Sequence, residues 1–423
     1  MRTATAKRAV IAGLALALLS SCAPKYVYKF DPNVFPQPVD TRSRPIQFQE
    51  KRQYISSLGI VFDNQFDGAR LNQWQEDDST SFSIGIEPEN TPINHSPWYS
   101  FRIISPIDTV ILVRLHYPEG FRHRYVPKLR YNRGRWFAID SSHYHLNADT
   151  TAAFLYLRLR ARDTLWVSAQ ELLTTSHIRA WLDSIKSHPW VQSVEEIGRS
   201  TLGRPLWFVN IGTPDEARKD VVVVMGRQHP PEVPGHMAMM SFVEALLDTT
   251  RRNADFFKHH QVWLYPLMNP DGVDLGHWRH NAGGIDLNRD WAYFRQPETR
   301  QVAQHVIQRA KKHKANIILG LDFHSTQYDV YYTFPDSVDR KLRYFDRYWI
   351  EGIAETLPPH PWVREAYDIN APISKAWFLL QFHAESITFE IGDETPRDLV
   401  KMKGQAAARE MIKLLIMRCG KRK

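Results

Sequence analysis

The pattern of hydrophobic and polar positions along this 423-residue chain changes near residue 170. Before that point, short β-prone runs alternate with clusters of Pro, Gly, Asn and Asp, and Ala152–Leu159 alternates as a half-buried strand does. After it, continuous apolar runs such as Val221–Met225 alternate with helical stretches. We therefore predict an antiparallel β-sandwich over residues 51–170 and an α/β domain over residues 171–423, with a mixed central sheet flanked by helices. Further predicted elements are strands at Leu206–Ile211 and Val262–Leu267 and helices at Met237–Leu247, Thr299–Lys312, Pro396–Met417 and from an N-cap at Ser176 to Ile185.

The first 50 residues carry an export pattern. A basic start precedes an apolar run from Ala9 to Leu19, which is too short to span a bilayer as a mature helix. The sequence Leu-Ser-Ser-Cys that follows resembles a bacterial lipobox, in which Cys22 is acylated and becomes the new N-terminus. We predict a lipoprotein signal peptide over residues 1–21, a Pro-rich tether over residues 22–50, and a lipid-anchored protein of the bacterial cell envelope, in the periplasm or at the cell surface. A simple signal peptide with a chance cysteine is the alternative.

The net charge excludes little but argues against nucleic-acid binding. It is +8 for the whole chain and +5 without the first 21 residues, which is small for a protein of 49.3 kDa. Cys419 is the second of two cysteines, so a lipid on Cys22 leaves no disulfide. We expect a monomer that is stabilised by its hydrophobic core.

Residues that can bind a metal ion follow the predicted strands. His229 and Glu232 lie three apart on the segment after Val221–Met225, and His324 lies at the end of another apolar run. Zinc accepts imidazole nitrogens and a carboxylate oxygen, and a catalytic zinc site keeps one position for water. A further carboxylate at a strand end, Glu390, is then free to act as a base. Because open α/β sheets place ligands at the carboxyl ends of their strands, we expect these groups to lie together.

Further motifs complete a pattern that is similar to a known family. Together with the metal-binding candidates, they resemble the zinc carboxypeptidase (funnelin) family, and several spacings resemble its cytosolic-carboxypeptidase branch. Members of that branch also carry a β-sandwich before the catalytic domain, which agrees with the predicted domain order. The additional motifs are Asn269-Pro270-Asp271-Gly272, Arg279, Asp286-Leu287-Asn288-Arg289 and the segment Ile197–Pro205.

The resemblance implies a reaction centre with one zinc ion. His229, Glu232 and His324 would hold the metal. Glu390 would take a proton from the attacking water and deliver it to the leaving amine. Arg279 would stabilise the developing oxyanion.

The resemblance also implies how the substrate is held. Asn288 and Arg289 would bind the terminal carboxylate, and Asp286 would accept the second N–H of the first histidine ligand. Tyr367 is the candidate for the family's mobile tyrosine, although an ungapped alignment places Asp368 there. Lys375 occupies the position that lines the family's specificity pocket, where an ammonium would favour an acidic C-terminal side chain.

These assignments lead to a metallocarboxypeptidase acting on peptides, with an expected preference for acidic C-terminal residues. An alternative on the same fold is a cell-wall amidase that cuts γ-D-glutamyl-diaminopimelate bonds in muropeptides, and another is an N-acyl amino acid deacylase. From a different class, the chain could be a non-catalytic lipoprotein that binds peptide or glycan. Singly, Asp286, Asn288, Arg289 and Glu390 could also serve as turn, cap or ion-pair residues.

Overall fold

The computed structural model describes residue 35, residues 44–367 and residues 369–420. The predicted signal peptide, Cys22 and most of the tether lie outside the described residues. So does Asp368.

Eleven strands between residues 53 and 168 form two packed sheets. One has the order β1-β2-β5-β11-β7-β8 and the other β3-β4-β6-β10-β9. Neighbouring strands are antiparallel except for the parallel pair β4–β6. In β10, Leu155 and Leu157 are buried between the sheets while Tyr156 is exposed, which is the period-two pattern of a half-buried strand. The strands are β1 Gln53–Ile55, β2 Val61–Asp63, β3 Gln73–Asp78, β4 Ser81–Gly85, β5 Ser100–Ile104, β6 Thr109–His116, β7 Lys128–Tyr131, β8 Phe137–Ala138, β9 Tyr144–Leu146, β10 Ala152–Leu159 and β11 Thr164–Ser168.

The second half of the chain forms an eight-stranded mixed sheet with the order β12-β13-β15-β14-β16-β19-β17-β18. Its four central strands, β15, β14, β16 and β19, are mutually parallel, so their carboxyl ends meet at one edge. The strands are β12 Val191–Arg199, β13 Pro205–Ile211, β14 Asp220–Gly226, β15 His260–Tyr265, β16 Asn316–Thr326, β17 Val330–Thr333, β18 Val363–Ala366 and β19 Glu385–Gly392.

Helices cover both faces of this sheet, and the central strands are buried on both sides. Along β14, Val222 and Val224 pack with the helices of one face, whereas Val221, Val223 and Met225 pack with those of the other. This two-sided burial explains why the strand is a continuous apolar run. The helices are α1 Thr175–Ile185, α2 Val233–Leu246, α3 Arg251–His259, α4 Pro270–Leu275, α5 Pro297–His313, α6 Phe345–Glu355, α7 Ser374–Phe382 and α8 Arg397–Gly420.

Two helices or strands begin or end at residues other than the predicted ones. The N-cap of α1 is Thr174, and not Ser176 as predicted, because Thr174 and His177 form a capping box. The strand predicted at Val262–Leu267 begins and ends two residues earlier, as β15. The fold class is as predicted, since a helix-flanked mixed sheet follows an N-terminal antiparallel sheet region.

Candidate active site

Three side chains converge at the carboxyl edge of the eight-stranded sheet. His229 lies on the loop that leaves β14, Glu232 is the N-cap residue of α2, and His324 lies near the end of β16. The Nδ1 atoms of His229 and His324 each lie 2.7 Å from a different carboxylate oxygen of Glu232. The candidate ligand atoms all lie within 4.8 Å of one another. Two imidazole nitrogens and one carboxylate are a donor set that fits zinc and leaves a position for water.

A second carboxylate holds each of the two histidines. Asp286 Oδ1 lies 2.9 Å from Nε2 of His229, and Asp322 Oδ2 lies 2.9 Å from Nε2 of His324. An Nε2–H that donates outward leaves the Nδ1 lone pair facing Glu232, which is the tautomer that a metal ligand needs. The contact of Asp286 is the one expected from the sequence. Asp322 was not assigned a role, although its position two residues before His324 on a strand places both on one face.

The electrostatics of this centre follow from its burial. Burial disfavours the charged form of Glu232, but the adjacent imidazoles of His229 and His324 outweigh it and lower the pKa of this carboxyl well below its usual value. Burial also disfavours the imidazolium of His324. Its contacts with Asp322 and Glu232 nevertheless raise the pKa of His324 above the ordinary value for histidine. Both shifts have the same cause, since the carboxylates of Glu232 and Asp322 stabilise a positive charge that lies beside them.

Glu390 lies beside the metal-binding cluster because of strand register. It is on β19 and pairs in register with His324 on the parallel neighbour β16. Burial and the nearby carboxylate of Glu232 raise the pKa of Glu390 to about 8. Its Oε2 atom is shielded from solvent and has no hydrogen-bond partner among the described residues. A carboxyl group whose pKa is near neutrality and which is not engaged by other side chains is suited to accept and return a proton.

Arg279 is held from both domains. Its Nε donates to Asp286 Oδ2 at 2.7 Å, and its backbone N–H donates to Glu89 Oε1 of the β-sandwich at 2.9 Å. Glu89 is fully buried and also accepts the backbone N–H groups of Trp278, at 2.7 Å, and His280, at 2.6 Å. The β-sandwich thus fixes the segment that carries Arg279. The sequence does not indicate this role of Glu89, because its partners are backbone groups 189 to 191 residues away.

The predicted carboxylate clamp lies on one tight turn. Asp286 caps the 3₁₀ turn Leu287–Arg289 by accepting the N–H of Asn288 at 2.8 Å. Asn288 Oδ1 accepts the N–H of Ser374 at the start of α7 at 3.0 Å, and Arg289 makes no ion pair within the described part of the chain. The alternative partner, Asp290, instead pairs with Arg295. Asn288 and Arg289 line the same cavity of about 430 Å³ as the metal-binding cluster and Glu390.

Tyr367 and Lys375 have different surroundings from each other. Tyr367 is 41% exposed, lines the cavity, and has its ring centroid 5.2 Å from that of Tyr332, a further lining residue that was not predicted. Lys375 is fully buried. Its ammonium donates to the carbonyls of Thr333 and Tyr367 and lies 4.2 Å from the ring centroid of Phe334. These contacts tie Lys375 to the segment that carries Tyr367, and its role in a specificity pocket stays a prediction.

The β-sandwich contributes a wall of the cavity that the sequence did not predict. Residues 93–96, between β4 and β5, and Arg124, between β6 and β7, line it together with the metal-binding cluster. Nothing in the spacing of these residues indicated the site, since they lie more than 100 positions before the first metal ligand.

Comparison with known proteins agrees with this geometry. Residues 178–371 match the sequence profile of the zinc carboxypeptidase family, a range that contains the three metal-binding candidates but not Glu390. The chain is 22% identical over 287 residues to cytosolic carboxypeptidase 6 of Mus musculus, which covers 63% of this chain and 53% of the relative. The human protein of the same name is also 22% identical, with 57% of its length covered. The chain therefore spans about half the length of these relatives.

Solved structures give the same fold over most of the chain. A metallo-carboxypeptidase from Burkholderia cenocepacia superposes with a TM-score of 0.71 at 20% identity, covering 85% of this chain and 99% of the other. A metallo-carboxypeptidase from Pseudomonas aeruginosa superposes with a TM-score of 0.68 at 19% identity. The chain therefore contains a zinc carboxypeptidase domain, which the profile match places at residues 178–371, and it is homologous to the cytosolic carboxypeptidases.

Proposed function

We propose that this protein is a zinc-dependent metallocarboxypeptidase that hydrolyses the C-terminal peptide bond of peptides. The observation that carries the proposal is that one cavity contains the metal-binding cluster, the unengaged carboxylate of Glu390 and the clamp of Asn288 and Arg289. A metal site with a base hydrolyses amide bonds in general. The clamp beside it restricts the reaction to the last residue of a chain, because its guanidinium needs a carboxylate partner.

Each side chain has a defined task in this reaction. When bound, zinc polarises the scissile carbonyl and lowers the pKa of its water to about 7. Glu390 takes the proton of the attacking water on its free Oε2 and delivers it to the leaving amine. Arg279, oriented by Asp286 and Glu89, donates to the oxyanion. Asn288 and Arg289 hold the terminal carboxylate so that the last peptide bond lies at the metal.

The test is mass spectrometry of a peptide mixture after incubation with the zinc-loaded protein. Loss of single C-terminal residues supports the proposal, and both a chelator and Glu390→Gln should abolish it. Glu351→Gln, which removes an exposed carboxylate on α6, is the matched control and should leave the activity unchanged. Full activity of Glu390→Gln would refute the assigned mechanism. Zinc retention without turnover of any peptide would favour a binding protein.

The preference for acidic C-terminal residues remains a proposal of its own. It was based on Lys375, whose contacts with backbone carbonyls now weaken that basis. Peptides that differ only in a terminal Glu, Gln or Leu measure it directly. Muropeptides in the same assay test the alternative, since release of diaminopimelate from a γ-D-glutamyl bond would identify a cell-wall amidase.

We further propose that a lipid on Cys22 anchors the enzyme to a membrane of the bacterial cell envelope. The support is the basic and apolar start of the sequence followed by Leu-Ser-Ser-Cys. Among the described residues, no helix has the length and apolar character needed to cross a bilayer. Replacement of Cys22 by Ser should move the protein from the membrane fraction to the soluble fraction after cell lysis, and retention in the membrane fraction would refute the anchor.

A further inference from the structure

A path of buried hydrogen bonds joins the carboxylate clamp to the metal-binding cluster. Asn288 Oδ1 accepts the backbone N–H of Ser374 at 3.0 Å. The hydroxyl of the same serine donates to Asp322 Oδ2, and this oxygen lies 2.9 Å from Nε2 of His324. Ser374, Asp322 and His324 are at most 1% exposed. Because solvent does not compete with bonds this deeply buried, the four residues form one connected path.

The side-chain amide of Asn288 is oriented by the first residue of α7. The first N–H groups of a helix have no partner within the helix, and Asn288 Oδ1 supplies a partner for the N–H of Ser374. With Oδ1 engaged in this way, Nδ2 is the group that remains for a carboxylate in the cavity, which Asn288 lines. One end of the amide then serves the substrate while the other end holds the start of α7.

The other end of the path is a single oxygen of Asp322. Its Oδ2 accepts hydrogen bonds from the Ser374 hydroxyl, from Gln228 Nε2 at 2.5 Å and from His324 Nε2. Its Oδ1 is shielded from solvent and has no hydrogen-bond partner among the described residues. The orientation of this carboxylate therefore depends on the donors at Oδ2. Because Asp322 in turn orients His324, the serine hydroxyl acts on a metal-binding residue through one intermediate.

Asn288 is also linked to the other histidine, but through its backbone. Asp286 Oδ1 accepts from the N–H of Asn288 at 2.8 Å and from His229 Nε2 at 2.9 Å. A backbone N–H in a capped turn keeps its place when the Asn288 side chain binds a ligand. The path through Ser374 begins at the side chain itself, so it is the path that a bound carboxylate alters.

We propose that Ser374 couples the clamp to the metal site, so that zinc and the C-terminal carboxylate of a substrate bind cooperatively. A carboxylate at Asn288 and a metal ion at His324 order the same hydrogen bonds, and the ligand that binds second therefore loses less conformational freedom. Ser374 is a positioning residue, since its neighbour Ile373 lines the cavity and Ser374 does not. The inference rests on the proposed carboxypeptidase function, in which Asn288 holds the terminal carboxylate.

The zinc dissociation constant, measured with and without a bound carboxylate, tests this coupling. The probe is isocaproate, which has the carbon skeleton of a C-terminal leucine without its amino group, and isocaproamide is the uncharged control. Competition with a chelating dye gives the zinc constant for wild type, Ser374→Ala and Ser386→Ala. Ser386 is the matched control, because it is a fully buried serine whose hydroxyl donates to the carbonyl of Gly320 at 3.0 Å and not to a residue of the path.

We expect saturating isocaproate to tighten zinc binding to wild type about fivefold, and zinc to tighten isocaproate binding by the same factor. Isocaproamide should leave the zinc constant unchanged. Ser374→Ala should bring the ratio of the two zinc constants close to one, and Ser386→Ala should keep the wild-type ratio. Each ratio compares one protein preparation with and without the probe, so a loss of stability in a variant affects both values alike.

Two results overturn the proposal. A wild-type ratio of one does so without any variant. A ratio that persists unchanged in Ser374→Ala does so as well, because the carboxylate would then act on the metal ion by another route. If zinc-loaded wild type does not bind isocaproate, the clamp itself fails and the proposed function fails with it. Binding of isocaproate without coupling instead leaves that function standing, so the two failures are separated.

Discussion

Asp286 connects the metal site, the oxyanion arginine and the clamp, so its replacement gives a sharp test of the site. Its Oδ1 accepts from His229 Nε2 at 2.9 Å and from the N–H of Asn288 at 2.8 Å, and its Oδ2 accepts from Arg279 Nε at 2.7 Å. In Asp286→Asn, the amide oxygen should take the Oδ1 position because two donors point at it. The amide NH₂ then faces the guanidinium of Arg279, which loses its acceptor. Asp286→Ala removes all three contacts.

The expected magnitudes follow from these contacts. Loss of a carboxylate behind a metal-binding histidine lowers metal affinity by about 10- to 100-fold, or about 1.4 to 2.7 kcal/mol. Asp286→Asn keeps a neutral acceptor for His229, so we expect about a tenfold loss, and for Asp286→Ala about a hundredfold loss. At saturating zinc, kcat of Asp286→Asn should still fall about 100-fold, because Arg279 is no longer held in position.

Zinc dissociation constants from competition with a chelating dye, and kcat at saturating zinc, measure the two effects separately. Asp183→Asn is the control, since Asp183 is a surface carboxylate that pairs with Arg179 on α1 and with Lys186 directly after this helix. If both variants of Asp286 bind zinc within about twofold of wild type, the assigned second contact of His229 is wrong. If Asp286→Asn keeps its full kcat, Arg279 does not depend on Asp286.

Three further predictions concern the framework. Glu89→Gln should lower the free energy of unfolding by about 2 to 3 kcal/mol and reduce kcat, as measured by urea titration and steady-state kinetics. The reason is that a side-chain amide cannot accept all three N–H groups that Glu89 accepts, one of which belongs to Arg279. Gly235→Ala should cost about 3 kcal/mol in urea titration and weaken zinc binding, since its Cβ would lie 2.0 Å from the carbonyl oxygen of His324. Burial lowers the pKa of His123 to about 4, below the 6.5 of an unfolded histidine. The contribution of neutral His123 to the free energy of unfolding is therefore fully present above pH 6.5 and is lost as the pH falls towards 4. Between pH 7.5 and 5 the chelator-treated wild type should lose about 2 kcal/mol more than His123→Gln, and equal losses in thermal or urea unfolding would contradict this.

Residues whose task is set by local sequence were predictable. The loop after a buried strand, the spacing of three between His229 and Glu232, and the positions of His324 and Glu390 near strand ends indicated a metal centre at the carboxyl edge of a parallel sheet. These features depend on neighbours in the sequence or on the general geometry of α/β sheets. The clamp of Asn288 and Arg289 was instead implied by the family resemblance, and both residues lie on a turn that Asp286 caps.

Residues whose task is set by packing between the domains were not predictable. Glu89 and Arg124 reach the site only because the two sheets of the β-sandwich pack against the loops of the second domain, where Val233 and Trp278 join the sandwich core. The orientation of the Lys375 side chain was not predictable for the same reason. A lysine at the start of a helix gives no sign of whether its ammonium faces substrate or, as found, two backbone carbonyls.

The precision of the reaction centre comes from the register of three parallel strands. β14, β16 and β19 are neighbours, and each delivers one group to the same edge: His229 after β14, His324 on β16 and Glu390 on β19. A slip of two residues between β16 and β19 would keep every side chain on its face but move Glu390 by about 7 Å, out of reach of the metal-binding cluster. The apolar packing of Phe323 against Phe389 opposes this slip, since their ring centroids lie 5.1 Å apart directly before the two functional residues. The core residues that precede the catalytic groups therefore set the distance between base and metal.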